Sequence, residues 1–127
     1  MAKSYYLDNA FLEAALKNVS YTSPATAYVA LYTSAPGPTG GGTEVTGGSY
    51  ARTACTFGAA SSGSLTNSGA CTFPQATAGW GTITSFGIFD LASGGNLLYY
   101  GNLTASKTIN SGDQLTFAIS GITVTES

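Results

Sequence analysis

Apolar residues among the first 17 positions recur with the period of a helix. Leu7, Phe11 and Ala14 lie four and three residues apart, which puts them on one helical face. Ser4 stands before this run and can accept a hydrogen bond from a free backbone N–H group of the first turn. The pattern predicts an amphipathic helix over residues 4–17.

After residue 27 the apolar residues form short runs rich in β-branched and aromatic side chains, separated by turn residues. The turns recur about every 8–15 residues, which is typical of antiparallel sandwiches and small barrels. We therefore predict a mainly β fold: an antiparallel, jelly-roll-like β-sandwich over residues 27–125 with one N-terminal α-helix, in a single domain spanning residues 1–127. The predicted strands are Ala27–Thr33, Tyr50–Phe57, Leu65–Phe73, Trp80–Leu91, Leu97–Leu103 and Leu115–Thr125.

Two segments depart from this regular pattern. Residues 35–49 are rich in glycine and proline and predict a long loop. A loop of this length in a compact domain is usually functional, and it becomes ordered only when something holds it, so we expect contacts with other chains. Within Trp80–Leu91 the apolar positions change parity, which predicts a β-bulge near Gly87.

The two cysteines, Cys55 and Cys71, each lie in the tetrapeptide Ala-Cys-Thr-Phe. In a hairpin centred on Gly63 they would lie opposite each other, within reach of a disulfide. The N-terminus does not have the pattern of a secretory signal, because Asp8 and Glu13 interrupt its apolar run. Since disulfides are rare in proteins that are made and kept in the cytosol, we favour two buried thiols and keep the disulfide as the alternative.

Charged residues make up only 8% of the chain, against about 25% in an average soluble domain. Four basic residues cannot form the positive stripe that nucleic-acid binding needs, and no segment has the length of an apolar membrane span. We therefore expect neither nucleic acid nor membrane as a partner. A weakly charged surface suits a protein that is packed permanently among neighbours in an assembly.

The available residues argue against an enzyme. Without histidine, the chain lacks the commonest general base and the commonest metal ligand. Ser106 and Lys107 are adjacent, but they lie in a predicted edge strand where a solvated lysine is the ordinary case. Asp90 and Asp113 lie in turns, where aspartate usually bonds to local backbone. We predict no catalytic, cofactor-binding or metal-binding residues and no cofactor.

Aromatic residues are the best candidates for contact with a partner. Tyr99 and Tyr100 are consecutive in a predicted strand, so one of them faces each side. Tyr5 and Tyr6 begin the predicted helix and cannot both face inward, and tyrosine is common at interfaces. For Trp80, which lies between two glycines, we favour a place in the core.

Segments along nearly the whole chain resemble a family of small tailed-bacteriophage virion proteins. The segments are YLDNAFLEAALKN, PATAYVALYTSAPGP, GGGTEVTGGSYAR, FPQATAGWGTITSFGIFD and GNLTASKTINSGD. Family members are described as head-decoration or tail-fibre-like proteins, so the resemblance implies a structural virion protein without an enzymatic role. The residues of its most recognisable block have the character of fold determinants: Phe73, Pro74, Trp80, Phe86, Gly87, Ile88, Phe89 and Asp90.

The resemblance also implies a location in the virion, with assembly in the host cytoplasm. Of the roles that it allows, we favour a capsid decoration, or cement, protein that binds the major capsid protein or other virion proteins as a homotrimer or homodimer. The alternative is a tail or tail-fibre component that contacts receptor glycans through Tyr99, Tyr100, Asn96 and Asn102. The candidate interface residues are Tyr5, Tyr6, Glu44, Tyr50, Arg52, Tyr99 and Tyr100.

Overall fold

The computed structural model describes residues 2–125, so Met1, Glu126 and Ser127 of the predicted domain lie outside the described residues. Within residues 2–125 there are one helix and ten strands. The helix is α1 (Tyr5–Leu16). The strands are β1 (Ala2–Lys3), β2 (Ala27–Ser34), β3 (Thr43–Glu44), β4 (Thr53–Cys55), β5 (Ser64–Thr66), β6 (Cys71–Thr72), β7 (Gly81–Phe89), β8 (Leu97–Ile109), β9 (Thr116–Phe117) and β10 (Thr123–Thr125).

The main sheet is antiparallel and has the strand order β1-β8-β7-β2-β3. Strand β4 pairs with the same edge of β2 as β3 does, but at the other end: β4 lies beside Ala27–Val29, whereas β3 lies beside Tyr32 and Ser34. Strands β2 and β7 are central, and each buries residues on both faces. This explains why their sequences are runs of apolar residues rather than alternating patterns.

The second layer consists of two separate two-stranded sheets, β5–β10 and β6–β9. Both contribute side chains to one core with the main sheet, in which the apolar area removed from water is the principal source of stability. Its buried members include Val29, Leu31, Phe73, Trp80, Ile83, Phe86, Ile88, Ile122 and Val124. The predicted class is confirmed: the fold is mainly β, its sheets are antiparallel, and one helix lies near the N-terminus.

The predicted hairpin of Tyr50–Phe57 with Leu65–Phe73 is present only near its turn, where Phe57 bridges to Asn67. Beyond that point the two segments stay close but no longer pair with each other, because β4 pairs with β2 and β6 pairs with β9. A disulfide joins Cys55 of β4 to Cys71 of β6, with the Cα atoms 5.5 Å apart. The preference for two free thiols is therefore wrong in this structure: the two cysteines face each other across the layers and link the main sheet to the second layer.

Strands β7 and β8 pair with two shifts in register. One lies between Ile88 and Phe89, close to Gly87 as predicted. The other is larger and was not predicted: Thr84 of β7 stands opposite four residues of β8, 103–106. The extra residues of β8 interrupt its exposed edge, which makes that edge a poor template for pairing with another strand.

Helix α1 begins and ends where the sequence predicts. The Ser4 hydroxyl accepts from the backbone N–H of Leu7 at 3.2 Å, as an N-cap does. At the other end Asn18 has a φ of 56°, the left-handed conformation in which helices commonly end, and Val19 N–H reaches back 3.3 Å to the carbonyl of Glu13. Only Leu7 is buried, however, and the predicted inner residues near the C-terminal end, such as Ala14, are exposed.

The segment 35–49 is ordered by contacts within this chain. It contains β3, and the backbone N–H of Val45 donates to the carbonyl of Leu31 at 3.0 Å. The carbonyl of Gly48 accepts from the indole N–H of Trp80 at 2.9 Å, and a Cβ atom at this glycine would come within 2.8 Å of that nitrogen. Other chains are therefore not needed to hold this loop. Trp80 is buried, as predicted.

Candidate functional site

An ion pair between Glu44 and Arg52 is the centre of a hydrogen-bonded network on the main sheet. Arg52 Nη2 and Nε each lie 2.9 Å from a different carboxylate oxygen of Glu44, so the contact is bidentate. The Tyr50 hydroxyl donates to Glu44 Oε2 at 2.7 Å and accepts from the backbone N–H of Leu31 at 3.0 Å. These bonds tie β3 and the segment before β4 to the central strand β2.

The rest of the Arg52 guanidinium holds the turn between β7 and β8. Its Nη1 donates to the carbonyls of Leu91 at 3.1 Å and Gly94 at 2.7 Å. Its Cζ atom lies 3.6 Å from the ring centroid of Phe89, and that ring stacks on Tyr32. A guanidinium over an aromatic face is attractive because the face carries partial negative charge. We call Glu44, Tyr50, Arg52 and Phe89 the arginine clamp.

Burial changes the protonation of the clamp. Burial alone would raise the pKa of Glu44, but hydrogen bonds from Arg52 and Tyr50 outweigh it and lower that pKa below 4.5. Burial, followed by the hydrogen bond to Glu44, raises the pKa of the Tyr50 hydroxyl well above 10. Burial, with the neighbouring Glu44, raises the pKa of Tyr32 to about 12. At neutral pH the clamp therefore holds a charged Glu44 carboxylate and a neutral Tyr50, and the neighbouring Tyr32 is neutral as well.

These shifts predict a loss of stability at both ends of the pH range. Because the pKa of Glu44 is lower in the folded protein, its contribution is present above about pH 4.5 and is lost as the pH falls through the folded-state pKa. Because the pKa of Tyr50 is higher in the folded protein, its contribution is present below about pH 10 and is lost as the pH rises. Urea unfolding across the pH range measures both limbs.

The two limbs are assigned by two variants. Glu44→Gln should flatten the acid limb. Tyr50→Phe should reduce the alkaline limb to the part that Tyr21 and Tyr32, whose pKa values burial also raises, contribute. An acid limb of unchanged slope in Glu44→Gln would contradict the assignment.

The turn that Arg52 holds forms one wall of an open cleft on the surface. The cleft has a volume of about 600 Å³ and lies between segment 22–28 and the residues that follow β7. Its lining combines hydroxyls, one aromatic ring and one carboxylate: Thr22, Ser23, Pro24, Ala25, Thr26, Tyr28, Asp90, Leu91 and Ala92. Both carboxylate oxygens of Asp90 accept from Asn96, from its backbone N–H at 2.7 Å and its side-chain amide at 3.1 Å. The turn is thus fixed from both sides before any ligand arrives.

The structure separates the predicted interface residues into three groups, of which the third, Tyr99 and Tyr100, lies on β8. Tyr5 and Tyr6 are exposed on the helix. Glu44, Tyr50 and Arg52 are brought together, but their polar groups bond to one another and to backbone carbonyls. Contact of any of these residues with a partner stays a prediction.

Tyr99 and Tyr100 are half-buried on opposite faces of β8, as the strand period predicts. The groove predicted from Tyr99, Tyr100, Asn96 and Asn102 therefore does not form: Asn96 bonds to Asp90, and Asn102 accepts from the hydroxyl of Ser85 at 2.9 Å.

The cleft itself was missed by sequence reasoning. Its two walls are far apart in the chain, and the hydroxyl-rich stretch at 22–26 was its only local signal.

The residues considered above for catalysis lie in a turn or a bulge of the fold. Asp113 accepts from the backbone N–H of Asn110 at 2.9 Å, as a turn aspartate does, and Ser106 lies in the bulge of β8. Across residues 2–125 no group of three or more histidine, cysteine, aspartate or glutamate side chains could hold a metal ion. No helix in the same part of the chain is long and apolar enough to cross a membrane.

Fold and surface together define a small antiparallel β protein whose polar side chains hold loops in place around open clefts. The family model of the podophage GP4 fiber I protein gp80 matches residues 2–125. The chain therefore belongs to this family of structural phage fibre proteins, which implies a component of the virion. No match was found among curated proteins.

Proposed function

We propose that this chain is a non-enzymatic subunit of a podophage tail fibre and contributes to attachment to the host receptor. The observation that carries the proposal is the match of the fibre family over residues 2–125. It favours the tail-fibre alternative over the capsid decoration role that we preferred from sequence. Its partners are then other fibre or virion proteins and further copies of this chain, rather than the major capsid protein.

The cleft beside Asp90 has the chemistry of a glycan site. A sugar ring presents C–H groups on its faces and hydroxyls at its edges, so it fits a site with an aromatic ring and several hydrogen-bonding groups. Tyr28 is half-buried and supplies the ring, while Thr22, Ser23 and Thr26 supply hydroxyls. The Asp90 oxygens already accept from Asn96, but each carboxylate oxygen has a further lone pair with which it can accept from a sugar hydroxyl.

The arginine clamp preorganises one wall of this cleft. Because Arg52 bonds to the carbonyls of Leu91 and Gly94, the wall of the cleft is ordered without a ligand. Ordering a loop on binding costs free energy, so a wall that is already fixed leaves more of the contact energy for affinity. A hydroxyl-rich cleft whose one charged lining residue is Asp90 also suits a neutral polysaccharide better than an anionic ligand, which the carboxylate would repel.

A longer, charged side chain in the wall of the cleft should weaken glycan binding. The exposed Ala92 lies in the wall, so Ala92→Glu places a carboxylate in the space that a sugar would occupy. We expect binding to an array of bacterial surface polysaccharides to fall about tenfold or more, which corresponds to about 1.4 kcal/mol. The matched control is Ala105→Glu, at an exposed alanine of the β8 bulge.

Two results would contradict this proposal. Equal binding by Ala92→Glu and Ala105→Glu, or no binding by the unmodified chain, would remove the cleft as the glycan site. Labelling of the virion with antibodies against this chain tests the location separately: tail labelling is expected, and head labelling would return the decoration role.

A further inference from the structure

A pocket with apolar walls lies beside helix α1, next to the cleft that Asp90 lines. Its volume is about 300 Å³. Side chains from helix α1, the segment before β2, the main sheet and the β5–β10 sheet form its walls. We call it the apolar pocket, and its lining residues are Leu7, Phe11, Tyr21, Ser23, Pro24, Ala27, Phe57, Leu65, Ile88, Leu98, Tyr99 and Val124.

The lining of the apolar pocket offers water few partners. None of these described residues is charged, and their polar side-chain groups are the hydroxyls of Tyr21, Ser23 and Tyr99. A water molecule held in a protein normally makes two to four hydrogen bonds, so most of this space suits apolar atoms better than water. A mostly apolar pocket with a few polar groups is the usual form of a small-molecule site.

The walls of the apolar pocket are held apart by contacts within the chain. The backbone N–H of Ser4 donates to the carbonyl of Leu98 at 2.9 Å, which fixes the start of helix α1 on β8. Phe11 meets Tyr21 edge-to-face at a centroid distance of 5.3 Å, which ties the middle of the helix to the segment that follows it. The pocket is therefore formed before a ligand binds, and little ordering free energy is spent on binding.

The apolar pocket and the cleft beside Asp90 share a wall. Ser23 and Pro24 line both spaces, and Ser23 is exposed between them. Burial, then Tyr6, then Asp90 raise the pKa of Tyr21, so the charge of Asp90 in the cleft acts on a side chain of the pocket. A ligand that passes over Ser23 can therefore have an apolar part in the pocket and a polar part in the cleft.

We propose that the ligand of this surface is an acylated sugar, with its acyl chain in the apolar pocket and its sugar in the cleft. An apolar cavity of about 150 Å³ holds benzene, so about 300 Å³ has room for roughly twelve carbon atoms, or one medium-length chain. An acyl chain is chosen over a ring because it is the apolar group that bacterial surface sugars commonly carry. The sugar end rests on the proposed glycan site, whereas the chain end does not.

The test is calorimetric titration of the full chain with three probes: octyl glucoside, methyl glucoside and 1-octanol, each below any concentration at which it forms micelles. Octyl glucoside and methyl glucoside carry the same sugar and differ in the chain. We expect octyl glucoside to bind at least tenfold more tightly, because burial of about two methylene groups already gives that factor. We expect 1-octanol, which has no sugar, to bind as well.

Two variants assign the chain to the apolar pocket. Ala27→Phe places a ring in the pocket from a half-buried position of β2, and it should remove the tenfold advantage of octyl glucoside. The matched control is Ala105→Phe, at an exposed alanine outside the lining, which should keep that advantage. If Ala27→Phe shows no cooperative unfolding transition, Leu65→Gln, which makes the wall polar, takes its place.

A third variant places the sugar. Ala92→Glu, in the wall of the cleft, should weaken octyl glucoside and leave 1-octanol unchanged. Equal effects of Ala92→Glu on both probes, or none on either, would overturn the placement of the sugar beside the chain.

The chain end can fail separately. Absence of 1-octanol binding, or equal loss in Ala27→Phe and Ala105→Phe, would overturn the apolar pocket as a chain site. Tighter binding of 2-naphthol than of 1-octanol would show that the pocket takes a ring instead. These results concern the chain alone, and binding of the polysaccharide array by Ala92→Glu still decides the glycan site.

Discussion

Replacing Phe73 with alanine should lower the free energy of unfolding by about 3–5 kcal/mol. Phe73 is fully buried, and its ring centroid lies 6.4 Å from that of Tyr50 and 6.2 Å from that of Phe117. The ring therefore fills the space between the main sheet, the segment before β4 and β9. Its removal leaves a cavity that three independent elements would have to close, and packed cores relax only partly into such cavities.

A second phenylalanine supplies the control. Phe11 is half-buried on the helix and meets Tyr21 edge-to-face at a centroid distance of 5.3 Å. Because Phe11→Ala removes less buried area, we expect a loss of only about 1–2 kcal/mol. Urea unfolding measures both variants. Equal losses would show that the helix contributes to the core as much as the second layer does.

Replacing Glu44 with alanine should be about as damaging, on the order of 3 kcal/mol, although no cavity in the core is created. The Arg52 side chain is only 9% exposed, so loss of its carboxylate partner leaves a guanidinium that water reaches poorly. The Tyr50 hydroxyl loses its acceptor at the same time. The bonds from Arg52 to the β7–β8 turn remain, and they keep the loss at the lower end of the range for buried pairs.

A double variant separates the cost of an unpaired buried charge from the cost of the lost hydrogen bonds. If the loss comes from an unpaired buried charge, Glu44→Gln combined with Arg52→Met should recover part of it, since neither charge then remains. Glu13→Ala, at an exposed helix position, should leave the unfolding midpoint unchanged. A double variant no more stable than Glu44→Ala would show that the loss comes from the missing hydrogen bonds instead.

Local signals in the sequence were sufficient for the local structure. Ser4 and Asn18 bound the helix because a cap depends on a few neighbouring residues. The apolar runs at 27–33 and 80–91 predicted the central strands because burial on both faces leaves no polar alternation. The consecutive pair Tyr99 and Tyr100 predicted one ring on each face of β8 for the same geometric reason.

The pairing of strands that are distant in the chain could not be predicted from local sequence signals. Segments 50–57 and 65–73 have the pattern of a hairpin, but Thr53–Cys55 finds a longer partner in β2. No local feature states that preference, because it is decided by the whole core. The same holds for the candidate site: Glu44 and Arg52 are eight residues apart, yet the turn that they hold lies about 40 residues further on.

The pairing of β9 with β6 and of β10 with β5 has a consequence for how the chain folds during synthesis. Strands β5 and β6 leave the ribosome long before residues 116–125, which are their only strand partners among the described residues. Until those residues arrive, the inner face of the main sheet has no complete cover, and Phe73 and Ile83 remain open to water and to other nascent chains. Contacts of such long sequence separation also slow folding. The second layer therefore forms only after residues 116–125 have been synthesised, and chains stalled before that point are the species most prone to aggregate.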